Sequence, residues 1–147
     1  MQKNLIRSVF AAAALSAFLV GGSPAAFAEM NSYKADLKGS TVVPPNDSKG
    51  IGTVDATYDT TSKKLAWTVT YSGLTGPVTA AHFHGPAAAN ANAPPVVPLT
   101  GSLTSPIKGD ATLTDAQATE LRGGTLYFNV HTAAHKDGEI RGQVMKK

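Results

Sequence analysis

The chain has 147 residues, with 13 Lys and Arg, 10 Asp and Glu, four His and no Cys. Without cysteine the fold cannot rest on disulfides, and a metal site must draw on His, Asp, Glu or Met rather than on thiolates. The formal net charge of +3 shrinks once Lys3 and Arg7 are set aside with the first segment, and the remaining basic residues are scattered apart from Lys146-Lys147, so there is no electrostatic case for nucleic acid as a partner.

Residues 1–28 read as a cleaved secretory signal peptide. Lys3 and Arg7 give a positive start, "SVFAAAALSAFLV" an apolar core, and "AFA" before Glu29 a small-x-small cleavage site. The apolar run is too short to span a bilayer and ends in Gly-Gly-Ser-Pro, and no cysteine follows it for lipid attachment. The expected mature chain, residues 29–147, is a single domain without a membrane span, exported to a periplasm or secreted.

From there the chain reads as strands. "YKADLKG" (33–39) is a first strand, followed by an irregular turn at "VVPP" (42–45). "TVDATYD" (53–59) sets Val54, Ala56 and Tyr58 on one face. "LAWTVTY" (65–71) does the same with Leu65, Trp67, Val69 and Tyr71, and "TTSKK" between them suits a hairpin. "SGLTGP" (72–77) is a turn or loop, "VTAAHFH" a strand, and "GPAAANANAPP" (85–95) a long loop that is either mobile or part of a site. "VVPL" (96–99) is a short strand whose Pro98 suits an edge, and "IKGDATL" (107–113) alternates again. "TDAQATELRGG" (114–124) is the one convincing helix, with a capping box between Thr114 and Gln117 and a Gly123-Gly124 stop. "TLYFNVH" (125–131) and "EIRGQVM" (139–145) close the domain as an antiparallel pair, with Gly138 in a turn at positive φ. The expected fold is all-β: an antiparallel β-sandwich or flattened Greek-key-like barrel of about eight strands with one short helix.

Alternation also says which way the histidines point. Ala81 and Phe83 share a face, so His82 and His84 take the other; Leu126, Phe128 and Val130 share a face, so Tyr127, Asn129 and His131 take the other. If the apolar sets form the core, the three imidazoles lie on the outer, polar side. Each is near the C-terminal end of its strand, so neighbouring strands would gather them at one edge of the sheet. His-x-His on a strand holds two Cα atoms about 6.5–7 Å apart on one face, a span that suits one ion at about 2.0–2.1 Å from each nitrogen. Imidazole suits copper, zinc and nickel. His135, four residues after His131 in a loop, is a possible fourth ligand, and Asn129 and Glu139 are candidates to orient an imidazole through its other nitrogen. The competing reading makes these ordinary surface histidines, with His82 bonded to the backbone around Gly85-Pro86.

The segments "AAHFHGPA", "VVPLTG" and "GGTLYFNVHTAAHKDGEIRGQV", preceded by "LKGSTVVPPNDSKGIGTVDATYD", resemble the CHRD domain, a module named for repeats in chordin that also occurs alone in secreted bacterial proteins. The resemblance runs from about Tyr33 to Val144. It implies a β-sandwich-type extracellular module and no particular activity; in chordin, growth-factor binding is associated chiefly with other modules. His82, His84 and His131 match the family's typical histidines, whereas His135 stands where Asn-Pro is more usual.

The expected function is therefore an exported metal-binding protein. Copper comes first and zinc second, held by His82, His84 and His131, for buffering, delivery or tolerance. The alternative is a non-catalytic module that binds an extracytoplasmic protein or matrix partner, with structural histidines. Neither a Ser-His-Asp set nor paired carboxylates is legible, so catalysis is not the expectation, a copper or zinc redox or hydrolytic activity being the minor alternative.

Overall fold

The computed structural model describes residues 27–147. The leader read over residues 1–28 lies, but for its last two residues, outside the described residues. The elements in chain order are β1 (Met30–Lys38), a 3₁₀ turn (Gly39–Thr41), β2 (Ile51–Asp59), β3 (Lys64–Ser72), β4 (Val78–His84), β5 (Pro95–Pro98), β6 (Ile107–Thr112), α1 (Asp115–Arg122), β7 (Tyr127–Thr132), β8 (Ile140–Gln143) and β9 (Met145–Lys146). No helix among the described residues is long and apolar enough to cross a membrane.

All strands join one antiparallel sheet in the order β5-β4-β7-β8-β1-β2-β3-β6, with the two-residue β9 paired to β1. The sheet curls into a nearly closed barrel. Trp67 on β3 and Phe83 on β4 stand near opposite ends of the strand order, yet their rings meet edge-on at 5.1 Å across the interior. Phe83 in turn meets Phe128 on β7 at 4.8 Å. Of the two expected architectures the barrel is the one formed, with a ninth short strand beyond the eight expected. α1 bridges the open seam between the edge strands: it follows β6 directly, and Gln117 Nε2 donates to the Val96 carbonyl on β5 at 2.9 Å. Its expected capping box is formed, Thr114 and Gln117 bonding reciprocally at 2.9 and 3.2 Å, an arrangement worth about 1 kcal/mol.

The interior follows the period of two. Tyr33, Ala35 and Leu37 on β1, Val54, Ala56 and Tyr58 on β2, and Leu65, Trp67 and Val69 on β3 are all buried. Each large side chain so placed stabilises by about 1.5–3 kcal/mol. Gly109 on β6 leaves room for the indole, since a Cβ there would stand 2.9 Å from Trp67.

β7 departs from the pattern, and the site depends on that departure. Both of its faces are buried: Phe128 and Val130 inside the barrel, Tyr127 and Asn129 outside it. The expected solvent-facing polar side is not solvent-facing there. The segment between β4 and β5, "GPAAANANAP", lies over the outer face of β4, β7 and β8. Arg141 on β8 fastens it by donating to Asn92 Oδ1 at 2.8 Å and to the carbonyls of Ala91 at 2.7 Å and Ala88 at 3.3 Å. Gln143 Nε2 adds a bond to the Ala87 carbonyl at 2.8 Å.

Candidate metal centre

β4 and β7 are neighbours, the adjacency that alternation alone left open. Their register sets His82 opposite Asn129, His84 opposite Tyr127, and His131 opposite Ala80. Because the strands run antiparallel, their C-terminal ends point in opposite directions. The three histidines therefore do not gather at one edge of the sheet as expected. They converge across the middle of the strand pair, with His82 between the other two. Ring centroids are 5.2 Å apart for His82 and His131, 5.4 Å for His82 and His84, and 5.9 Å for His84 and His131. One nitrogen from each ring lies within 4.8 Å of the other two, and among the described residues this is the one such group of three.

Main-chain carbonyls set the orientation of two rings. His84 Nδ1 lies 2.9 Å from the Ala93 carbonyl, and His131 Nδ1 lies 2.8 Å from the Lys136 carbonyl. A carbonyl only accepts, so each Nδ1 carries the proton and each Nε2 keeps its lone pair. Those two Nε2 atoms, with His82 Nδ1, are buried and have no hydrogen-bond partner among the described residues. Two lone pairs so aimed, with the buried Nδ1 of His82 beside them, make a neutral donor set that suits a cation. A metal at about 2.0–2.1 Å from each nitrogen brings them to about 3.3–3.6 Å from one another, a contraction that side-chain rotation can supply.

Tyr127 completes one wall. Its ring stacks on His84 at 4.9 Å and 13°. The Arg141 guanidinium approaches the same ring from β8, with Cζ 3.6 Å from the centroid. The Tyr127 hydroxyl donates to the Ala93 carbonyl and accepts from the Ala93 N–H, both at 3.0 Å. Tyr127 and Arg141 therefore position His84 from beneath while the loop holds it from above. Neither Tyr127 nor Arg141 is among the site residues expected from the sequence. The signal available was their place on the same outer face as the histidines.

The other expected site residues lie elsewhere. Glu139 is fully buried and orients no imidazole. Its Oε1 accepts from Ser48 Oγ at 2.7 Å and the Thr75 N–H at 2.8 Å, and its Oε2 from Thr132 Oγ1 at 2.6 Å and Thr75 Oγ1 at 2.8 Å. Asn129 acts at one remove: its Nδ2 donates to the Asp137 carbonyl at 3.0 Å, pinning the turn whose Lys136 carbonyl holds His131. His135 is not in the cluster; its backbone closes the tight turn to Thr132, and it lines a shallow groove with Pro44, Pro45 and Asn46. Gly138 has φ of +125°, as expected, and a Cβ there would collide with the Asn129 side chain.

Burial, and then the neighbouring His131, push His82 below the ordinary imidazole pKa. Burial again comes first for His84; the Ala93 carbonyl opposes it, and His82, His131 and Arg141 reinforce it. Both rings are thus held neutral, the form in which imidazole ligates a metal.

A nearly closed antiparallel barrel carrying three converging, partnerless imidazole nitrogens on its outer face describes an all-β module with a candidate metal centre. The chain belongs to the CHRD domain family, whose family model matches residues 33–144. No match was found among curated proteins or solved structures.

Proposed function

We propose that this chain is an exported copper-binding protein that holds one ion on His82 Nδ1, His84 Nε2 and His131 Nε2, with zinc as the alternative ion, and serves copper buffering, delivery or tolerance. The observation that carries this reading is the set of three buried nitrogens without a hydrogen-bond partner, one on each clustered ring. Export rests on the leader-like residues 1–28. Lipid, nucleic acid and catalytic chemistry have no comparable support. The ion has no further His, Asp or Glu within its group, so a water or a ligand carried by a partner takes any additional coordination position.

A second reading has its own support. A cleft of about 530 Å³ lies beside the loop, between Val42, Val43 and Pro45 on one side and Ala89 and Asn90 on the other. A cleft of that size suits an extracytoplasmic partner's side chains, as a binding module requires.

The test is a titration of the tag-free chain from Glu29 onward with Cu(I), Cu(II) and Zn(II), following bound metal by elemental analysis. A variant carrying His82→Ala, His84→Ala and His131→Ala runs beside it. One equivalent held by the parent and lost in the folded variant supports the metal reading and names the ion. Equal binding by the two overturns it and leaves the binding module.

A further inference from the structure

The donor set is neutral. The cluster contains three imidazoles and no carboxylate, so the charge of a loaded site is the charge of the ion itself. The site is only partly hydrated, since His82 and His131 are half-buried. His84 is 7 % exposed, and the three inward nitrogens are out of reach of water. Removing an ion from water costs free energy that grows with the square of its charge, so a divalent ion loses about four times as much as a monovalent one of similar size.

The nearest wall of the site adds a fixed positive charge. Arg141 is 1 % exposed. Its guanidinium bonds to carbonyl oxygens and to the Asn92 amide, and no carboxylate forms an ion pair with it among the described residues. It faces the Tyr127 ring at 3.6 Å, and that ring faces His84 at 4.9 Å. The one buried carboxylate of the same strand end, Glu139, is occupied by four donors from Ser48, Thr75 and Thr132. A buried cation at this range repels a bound ion in proportion to that ion's charge. Three imidazoles by themselves satisfy a monovalent copper or silver ion, whereas Zn(II) and Cu(II) need a water or a partner's ligand besides.

Resting on the metal reading above, we infer that the His82–His84–His131 site selects by charge, taking a monovalent soft cation, Cu(I) or its analogue Ag(I), over divalent ions because its donors are neutral and its wall carries the unpaired Arg141.

Ala80 supplies the test. It lies opposite His131 and two residues before His82, on the same outer face, and is half-buried, so Ala80→Asp brings a carboxylate to the rim without entering the core. Arg141→Met removes the wall charge while keeping much of the stem. Parent and variants are titrated without oxygen with Cu(I) and Ag(I), and separately with Zn(II) and Cu(II), each against a competing chelator. The expected result is tighter binding of the monovalent ions by the parent. Ala80→Asp then raises Zn(II) affinity on the order of ten-fold or more and moves Ag(I) by much less, and Arg141→Met shifts the ratio the same way. If Arg141→Met loosens the loop and loses all metals, Ala80→Asp alone decides. A parent that holds Zn(II) or Cu(II) as tightly as Cu(I), or an Ala80→Asp variant that changes both charges alike, overturns the selectivity while leaving the metal site standing. Failure of every ion to exceed the triple-alanine variant instead overturns the metal reading itself.

Discussion

His82 differs from its two partners in the nitrogen it offers. His84 and His131 are locked by the Ala93 and Lys136 carbonyls and present Nε2; the buried nitrogen of His82 is Nδ1, and among the described residues no carbonyl is bonded to its ring. It is the adjustable member of the set, and rotation of its ring is the easiest way to close the cluster around an ion. Alanine at any one of the three is expected to weaken metal binding by about 100-fold or more while leaving the fold intact, because the rings lie outside the barrel core. His135→Ala should leave affinity within a few-fold of the parent. Competition titration with circular dichroism on the same samples reads both. The pH dependence follows from burial. The folded pKa values of His82 and His84 lie below the ordinary imidazole value, so protons compete with the metal only at lower pH than for a free imidazole near 6.5. For the metal-free protein the unfolded chain takes up these protons first. The stability the two neutral rings contribute is therefore present above pH about 6.5 and is lost as pH falls through their folded values. Urea midpoints measured from pH 7.5 down to 5 should fall over that span, and fall less in a His82→Ala, His84→Ala double variant. The strand period showed that these residues share a face. Which nitrogen each presents was not legible, because that depends on carbonyls nine and five residues away in sequence, in loops without a period.

At the level of elements, the strands were the legible part of the fold. Period-two alternation located β1 to β4 and β6 to β8, Thr114 and Gln117 marked the start of α1, and Pro98 marked β5 as an edge. What alternation could not show is that a loop can bury the polar face of a strand. "GPAAANANAP" has the composition of a mobile connection, yet its Ala88, Ala91, Asn92 and Ala93 backbone and amide groups are bonded to Arg141, Tyr127 and His84. Small side chains let that backbone approach the strands closely, so the Ala-rich stretch is explained by contact. Glu139 plays the matching role on the other side, gathering the Ser48 and Thr75 loops onto the end of β7. Its burial favours the neutral acid, but the donors from Thr132, Ser48 and Thr75 outweigh burial and hold its carboxyl below the ordinary value. A carboxylate with a depressed folded pKa stabilises above the ordinary pKa near 4.5, and that contribution is lost as pH falls through the folded value. Glu139→Gln removes the charge and turns an N–H₂ toward donors, which should cost about 2–3 kcal/mol at pH 7. It should also flatten the loss of stability between pH 5 and 3. Chemical denaturation of parent and variant across that range measures both effects.

On the scale of the whole molecule, the candidate metal centre is assembled from parts that only the complete barrel brings together. Its imidazoles come from β4 and β7, its orienting carbonyls from the β4–β5 and β7–β8 loops, and its aromatic wall is braced by β8. An unfolded chain offers the same three histidines, but with 46 residues between His84 and His131 and no fixed carbonyls to set their tautomers. Metal binding should therefore belong almost wholly to the folded state and add to its apparent stability. At free metal about 100 times the dissociation constant, the added stability is about 2.7 kcal/mol, which for a domain of this size raises Tm by about 10 °C. The increment should grow with the logarithm of free metal and should vanish in the triple-alanine variant. Weak surface binding would instead give a small shift that the variant shares. Differential scanning calorimetry of parent and variant at a series of buffered metal concentrations separates the two. A slope matching one ion per chain identifies a site built by the fold, and a zero slope means that the three imidazoles hold no ion at all.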